Sequence, residues 1–242
     1  ILYCFNYDPS CEITIEINPE TVDFEYLKKL KDTGFNRISI GIQSFNDEIL
    51  KAIGRIHNAS RALQTVIAAK KAGFDNINAD FIYGLPNQTT DDFVNDLRTI
   101  EQTGVTHISL YGLKIEEGCK FFENMPENLA DDDLQADMYL AAIDTLKNAG
   151  YEHYEISNFA KKGFESRHNL NYWNDGEYYG FGAAAHGYIG GVRYSNFCDL
   201  KDYEKKYDSK EFLEALNKQE RLEETIFLGL RKAEGININE IN

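Results

Sequence analysis

Polar and apolar residues alternate in four short stretches of this chain: Thr14-Ile15-Glu16-Ile17-Asn18, Ile38-Ser39-Ile40-Gly41-Ile42-Gln43, Ile77-Asn78-Ala79-Asp80-Phe81 and His107-Ile108-Ser109-Leu110-Tyr111. A period of two is that of a β-strand whose faces meet different surroundings. One face carries Ile13, Ile15, Ile17, Ile38, Ile40, Ile42, Ile77, Phe81, Ile108 and Leu110. The other carries Thr14, Glu16, Asn18, Ser39, Gln43, Asn78, Asp80, His107, Ser109 and Tyr111. Between these stretches the apolar residues recur at helical spacing, with Leu27 and Leu30, then Leu63, Val66 and Ile67, then Phe93, Leu97 and Ile100. The predicted helices cover residues 22–33, 60–72, 90–103 and 131–149. Thr21, Ser60, Thr89 and Asp131 stand where N-caps are expected. Gly34, Gly73, Gly104 and Gly150 follow the helical patterns, as left-handed C-caps do.

Strands alternating with helices predict a parallel sheet with right-handed crossovers. Strands of a doubly wound sheet are apolar on both faces, because helices cover both. These are half polar, so a barrel or half-barrel fits better: helices outside, and the polar face lining an enclosed cavity. A fifth strand is expected over residues 154–157, and five strands are too few for an eight-fold barrel. The fold class is therefore α/β, a partial barrel over residues 1–157 with a C-terminal α+β extension over 158–242. Residues 158–198 are rich in Gly, Asn, Tyr and Phe without a clean period, which predicts loops and short strands over the barrel. Amphipathic helices are expected at 202–207, 210–217 and 222–230.

The 242 residues are 43% hydrophobic and carry a formal net charge of -15. That excess of acid disfavours nucleic acid and anionic membranes as partners. No apolar run reaches the ~18 residues of a transmembrane helix. The chain opens Ile1-Leu2-Tyr3-Cys4-Phe5 without Met or a basic run, so no signal peptide is expected. That start within an apolar segment reads as part of a longer protein. Cys4, Cys11, Cys119 and Cys198 form no C-x-x-C pair, which predicts free thiols and a cytoplasmic setting.

Ligands of parallel α/β barrels bind at the carboxyl ends of the strands. Glu16, Gln43 and Asp80 sit late on the polar face of theirs, and Arg55 follows the Gln43 strand. Two carboxylates, an amide and a guanidinium suit a zwitterion carrying a ribose. The alternative is a network of ion pairs that binds nothing.

Glu16-Ile17-Asn18-Pro19-Glu20, Asn36-Arg37-Ile38-Ser39-Ile40-Gly41-Ile42-Gln43-Ser44-Phe45, Gly54-Arg55-Ile56-His57 and Asn78-Ala79-Asp80-Phe81-Ile82-Tyr83-Gly84-Leu85-Pro86-Asn87-Gln88-Thr89 occur in that order. In this the chain resembles the radical SAM proteins related to oxygen-independent coproporphyrinogen III oxidase. The resemblance implies that Glu16, Gln43, Arg55 and Asp80 contact S-adenosylmethionine, with Lys114 able to approach the nucleoside. Tyr154-Glu155-Ile156-Ser157-Asn158-Phe159-Ala160 and His168-Asn169-Leu170-Asn171-Tyr172-Trp173 are similar to the HemW branch, whose members are regarded as haem chaperones. That implies haem as ligand and a haem-accepting protein as partner. His168 could ligate its iron, with Tyr172 and Trp173 offering flat faces to a macrocycle; equally, the run could serve loop packing. His186 carries the same two readings. His57, His107 and His153 read as structural or polar-face residues.

The family's chemistry needs a [4Fe–4S] cluster on a C-x3-C-x-x-C loop, and that spacing does not occur here. The resemblance places the cluster cysteines upstream of Ile1, in the full-length protein only, and makes the four alternating stretches strands three to six of a (β/α)6 barrel. No metal ligands are expected in the chain itself. Three functions follow: a haem chaperone, a coproporphyrinogen III oxidase, or a non-redox lyase using Glu16 and Asp80 as acid and base. The H-N-x-x-Y-W run favours the first; no lysine or metal pair supports the third.

Overall fold

The computed structural model describes residues 7–206 and 209–238. They fall into two compact units that divide between Glu165 and Ser166. Cys4 lies outside the described residues; Cys11, Cys119 and Cys198 are free thiols.

The first unit runs β1 (Thr14–Ile17), a 3-10 turn (Pro19–Thr21), α1 (Phe24–Thr33), β2 (Arg37–Gln43), α2 (Asp47–Ala52), α3 (Ala59–Lys71), β3 (Asn76–Tyr83), α4 (Thr90–Glu101), β4 (His107–Gly112), α5 (Lys120–Glu123), α6 (Asp132–Asn148), β5 (Glu152–Glu155) and β6 (Asn158–Ala160). The sheet order is β1-β2-β3-β4-β6-β5. β1 to β4 are the four alternating stretches, and they pair in parallel. The chain then departs from the expected pattern. The strand expected over residues 154–157 ends at Glu155, and a tight hairpin returns as β6. It is β6, antiparallel, that pairs with β4, while among the described residues β5 pairs with β6 alone.

The apolar face builds the core. Ile38, Ile40, Ile42, Ile77, Phe81, Ile108 and Leu110 are buried against Leu27, Val66, Phe93, Leu97 and Met138 from the helices. Burying one such side chain contributes roughly 1.5–3 kcal/mol, which holds the helices on this face and no other. Two helices start elsewhere than expected. α1 is capped by Asp23, which accepts from Tyr26 N at 2.8 Å, while Thr21 Oγ1 donates to Asn18 O. α3 is capped by Asn58 rather than Ser60. Thr89 and Asp131 cap α4 and α6 as expected. Gly34, with φ 112°, ends α1 in the left-handed conformation that a Cβ would disfavour.

The second unit contains α7 (Arg167–Trp173), β7 (His186–Ile189), β8 (Val192–Ser195), α8 (Leu200–Lys205), β9 (Phe212–Ala215) and α9 (Lys218–Gly229), with an antiparallel sheet ordered β7-β8-β9. Two expectations are corrected here. The H-N-x-x-Y-W run is helix, capped by Ser166 accepting from Asn169 N. Residues 210–217, expected as helix, contain β9, whose pairing with β8 overrides a segment short enough to suit either period.

Candidate functional site

The polar face of the first sheet does not line one enclosed cavity. Its inner rows are closed by their own hydrogen bonds, and its carboxyl-end rows open into a cleft. Ser39, Asn78 and His107 stand side by side across β2, β3 and β4, and all three are buried. Gly41, Asp80 and Ser109 form the next row. Asn78 Nδ2 donates to Ser39 Oγ at 2.6 Å and to Asp80 Oδ1 at 2.7 Å. Ser39 Oγ donates to Asp80 Oδ2 at 2.8 Å. Burial pushes the Asp80 carboxyl above its ordinary range; the hydroxyl and amide donors oppose that rise, and the charge of Glu16 adds to it.

A cleft of about 510 Å³ opens where these strands end. Glu16, Gln43, Arg55 and Asp80 all line it, so the structure brings together four of the five residues assigned to the nucleoside and methionyl group. Lys114 is placed differently. It is exposed on the segment after β4, where it pairs with Glu116 at 2.9 Å, and it does not line the cleft.

Three residues not singled out in the sequence shape the cleft. Asn18 Oδ1 accepts from Arg55 Nη1 at 2.9 Å and so holds the guanidinium. Gly41 leaves room for the ends of its neighbours: a Cβ there would lie 2.9 Å from Gln43 Nε2, 3.1 Å from Asn18 Oδ1 and 3.2 Å from Arg55 Nη2. Gln43 itself has φ 70°, beside a β-bulge between Gly41 and Gln43. A left-handed glutamine costs about 1–2 kcal/mol and persists where its surroundings over-determine it.

They do so here from both sides. His57 Nε2 donates to Ile42 O at 3.2 Å, and its Nδ1 meets Glu20 Oε2 at 3.0 Å. Asp96, the third of these residues, sits buried on α4 and accepts from Ser44 Oγ at 2.7 Å and Phe45 N at 2.9 Å. Burial pushes the Asp96 carboxyl up to about 6. A polar residue in the buried stripe of α4, at helical spacing from Phe93 and Ile100, is the signal that could have found it.

In the second unit, Tyr172 and Trp173 line a cavity of about 250 Å³ with Tyr178, Tyr188 and Arg193. His168 is exposed on α7 with its ring 4.7 Å from that of Tyr172, and His186 is exposed at the start of β7; neither lines this cavity. Among the described residues no group of three or more His, Cys, Asp or Glu could hold a metal ion. No helix among them is long and apolar enough to cross a membrane.

The model of the radical SAM superfamily matches residues 2–100. The haem chaperone HemW of Lactococcus lactis subsp. lactis (strain IL1403) is 42% identical over 230 residues, which cover 93% of this chain and 61% of the relative. HemW of Bacillus subtilis (strain 168) is 39% identical over 233 residues, with the same coverage of each chain. The chain thus spans about three fifths of the length of these relatives. Among solved structures, coproporphyrinogen III oxidase (HemN) from Escherichia coli, described as a radical SAM enzyme, superposes with a TM-score of 0.85. That match covers 98% of this chain and 59% of the other at 22% identity, and it establishes the fold. The sheet, the cleft at its carboxyl end and the sequence likeness agree: the chain belongs to the radical SAM superfamily, among its HemW- and coproporphyrinogen oxidase-like proteins.

Proposed function

We propose that this chain is the S-adenosylmethionine-binding core of a haem chaperone of the HemW type. The observation that carries the proposal is the convergence of Glu16, Gln43, Arg55 and Asp80 on one cleft, in a chain 42% identical to a HemW protein. The residues fit the group. Asp80 and Glu16 accept from hydroxyls or an ammonium, Arg55 pairs with a carboxylate, and Gln43 offers an amide that both donates and accepts. Gly41, where a Cβ would crowd Gln43, Asn18 and Arg55, lets these three side chains converge beside the cleft. S-adenosylmethionine bound there supplies a sulfonium between its nucleoside and its methionyl group.

The residues do not fit a [4Fe–4S] cluster, because the chain lacks a cysteine triad of the required spacing. In this reading the cluster is held by residues of the full-length protein outside these 242, and no step is drawn through it. Haem is cargo, taken up in the cytoplasm and passed to haem proteins, with His168, Tyr172, Trp173 and His186 as candidate contacts.

The second reading is an oxygen-independent coproporphyrinogen III oxidase, favoured only by the likeness of fold to HemN. Full-length protein with a reconstituted cluster separates the two. It is incubated with haem and, separately, with coproporphyrinogen III plus S-adenosylmethionine. Haem uptake without decarboxylation is the expected result; turnover to vinyl product would overturn the chaperone reading.

A further inference from the structure

One buried chain of hydrogen bonds is left unexplained by the cleft alone. His107 Nδ1 lies 2.6 Å from Asn78 Oδ1, and His107 Nε2 lies 2.7 Å from the Tyr154 hydroxyl. His107 is wholly buried, and burial together with the nearby Arg37 charge holds its imidazole well below the usual range, so it is neutral. The direction of every bond then follows. Asn78 Nδ2 donates to Asp80, so Asn78 Oδ1 is the atom facing His107, and it can only accept. His107 Nδ1 therefore carries the proton, and Nε2 accepts from Tyr154 O–H. The chain runs one way, Tyr154 to His107 to Asn78 to Asp80, and Ser109 Oγ adds a second donor to Asn78 Oδ1 at 3.1 Å.

We propose that Asn78, His107 and Tyr154 are positioning residues that fix Asp80 as a pure acceptor toward the ligand. The proposal rests on the reading of the cleft as an S-adenosylmethionine site. Asn78 is held in one amide orientation, so it keeps a donor on Asp80 Oδ1 while Ser39 keeps one on Oδ2, with the Ser109 hydroxyl a further donor close by. The remaining lone pairs of Asp80 face the cleft, where they suit a group bringing two donors, such as the vicinal hydroxyls of a ribose. Were Asn78 to turn over, its oxygen would face the carboxylate, repel it and leave Asp80 short of a donor. The hairpin β5–β6 gains a role from this: it carries the Tyr154 hydroxyl to the far end of the chain. Within it the Asn158 amide donates to Glu155, and Ser157 N donates to the same carboxylate at 3.3 Å.

The test is calorimetric titration of the full-length, cluster-reconstituted protein with S-adenosylmethionine over the acid-to-neutral range. The charged or titratable groups around Asp80 and His107 are Glu16 on β1, Arg37 on β2, Arg55 across the cleft, His107 and Tyr111 on β4, and Tyr154 and Glu155 on β5; all but the substituted one are common to the variants compared. His107→Leu keeps the volume and removes both polar atoms; it should bind about tenfold more weakly. His107→Asn retains a donor toward Asn78 and should recover most of that loss. Tyr154→Phe deletes one oxygen and should cost about threefold, which keeps the test decisive should His107→Leu fail to fold. In His107→Leu and Tyr154→Phe the acid limb of binding should move toward neutral pH, because an Asp80 with fewer donors holds its proton longer. Losses equal at every pH, with His107→Asn no better than His107→Leu, would show a structural role and overturn the proposal. If Asp80→Ala weakens binding while His107→Leu and Tyr154→Phe bind like the wild type, the positioning chain falls and the cleft reading stands. If Asp80→Ala binds unchanged, the cleft reading falls with it.

Discussion

Arg55 donates to Asn18 Oδ1 at 2.9 Å, and the hydrogen bond passes over Gly41, whose missing side chain makes room for both partners. The three atoms a Cβ at position 41 would crowd are all ends of flexible side chains that can move aside. Gly41→Ala should therefore change stability by less than about 1 kcal/mol while weakening S-adenosylmethionine binding about tenfold or more. Chemical denaturation and calorimetry on the same preparation check the two halves.

Gln43 separates stability from binding in another way. At φ 70° glycine is at ease and alanine is not. Gln43→Gly should be about 1 kcal/mol more stable than Gln43→Ala. Both should lose about 1–3 kcal/mol of ligand affinity, because both lose the amide. A Gln43→Ala protein as stable as Gln43→Gly would show that the backbone is not strained there.

Asp96 predicts a pH dependence of folding. Its native value of about 6 lies above the unfolded value of about 4, so between the two the native state holds the extra proton. Stability from this group is full below pH ~4, falls as pH rises to ~6 and is level above, a loss on the order of 2–3 kcal/mol. Asp96→Asn keeps an acceptor for Phe45 N and cannot ionise, so its unfolding free energy should lack that fall. Urea titrations of both proteins between these limits read the difference.

His168→Ala should alter the Soret spectrum of the haem-loaded full-length protein, since an imidazole ligand sets the field at iron. An unaltered spectrum would remove His168 and leave His186 as the remaining histidine candidate.

Much of this was legible in the sequence, and the limits are physical. Period-two alternation marks Ile38, Ile40 and Ile42 as one face and Ser39 as the other, because a one-residue slip would exchange core and cleft. It does not say that Ser39, Asn78 and His107 satisfy one another, which depends on register across three strands. β6 is three residues long and carries no period. Gln43 bears no mark of its left-handed backbone, since glycine or asparagine would be the usual sign. The strand in residues 210–217 was hidden because Phe212 and Leu213 suit a helix until β8 is known to lie beside them. Lys114 rested on resemblance alone, and the structure places it in solvent with Glu116.

The sheet order also bears on how the protein behaves in the tube. Among the described residues β1 has a neighbour on one flank only, β2. Among those residues no strand pairs with the amides and carbonyls of its other flank, which makes that flank a template for an arriving strand, including the same strand of a second molecule. Preparations limited to these 242 residues should accordingly self-associate as they are concentrated, and sedimentation velocity over a dilution series would register it. Covering that flank is then a matter of solubility as much as of activity.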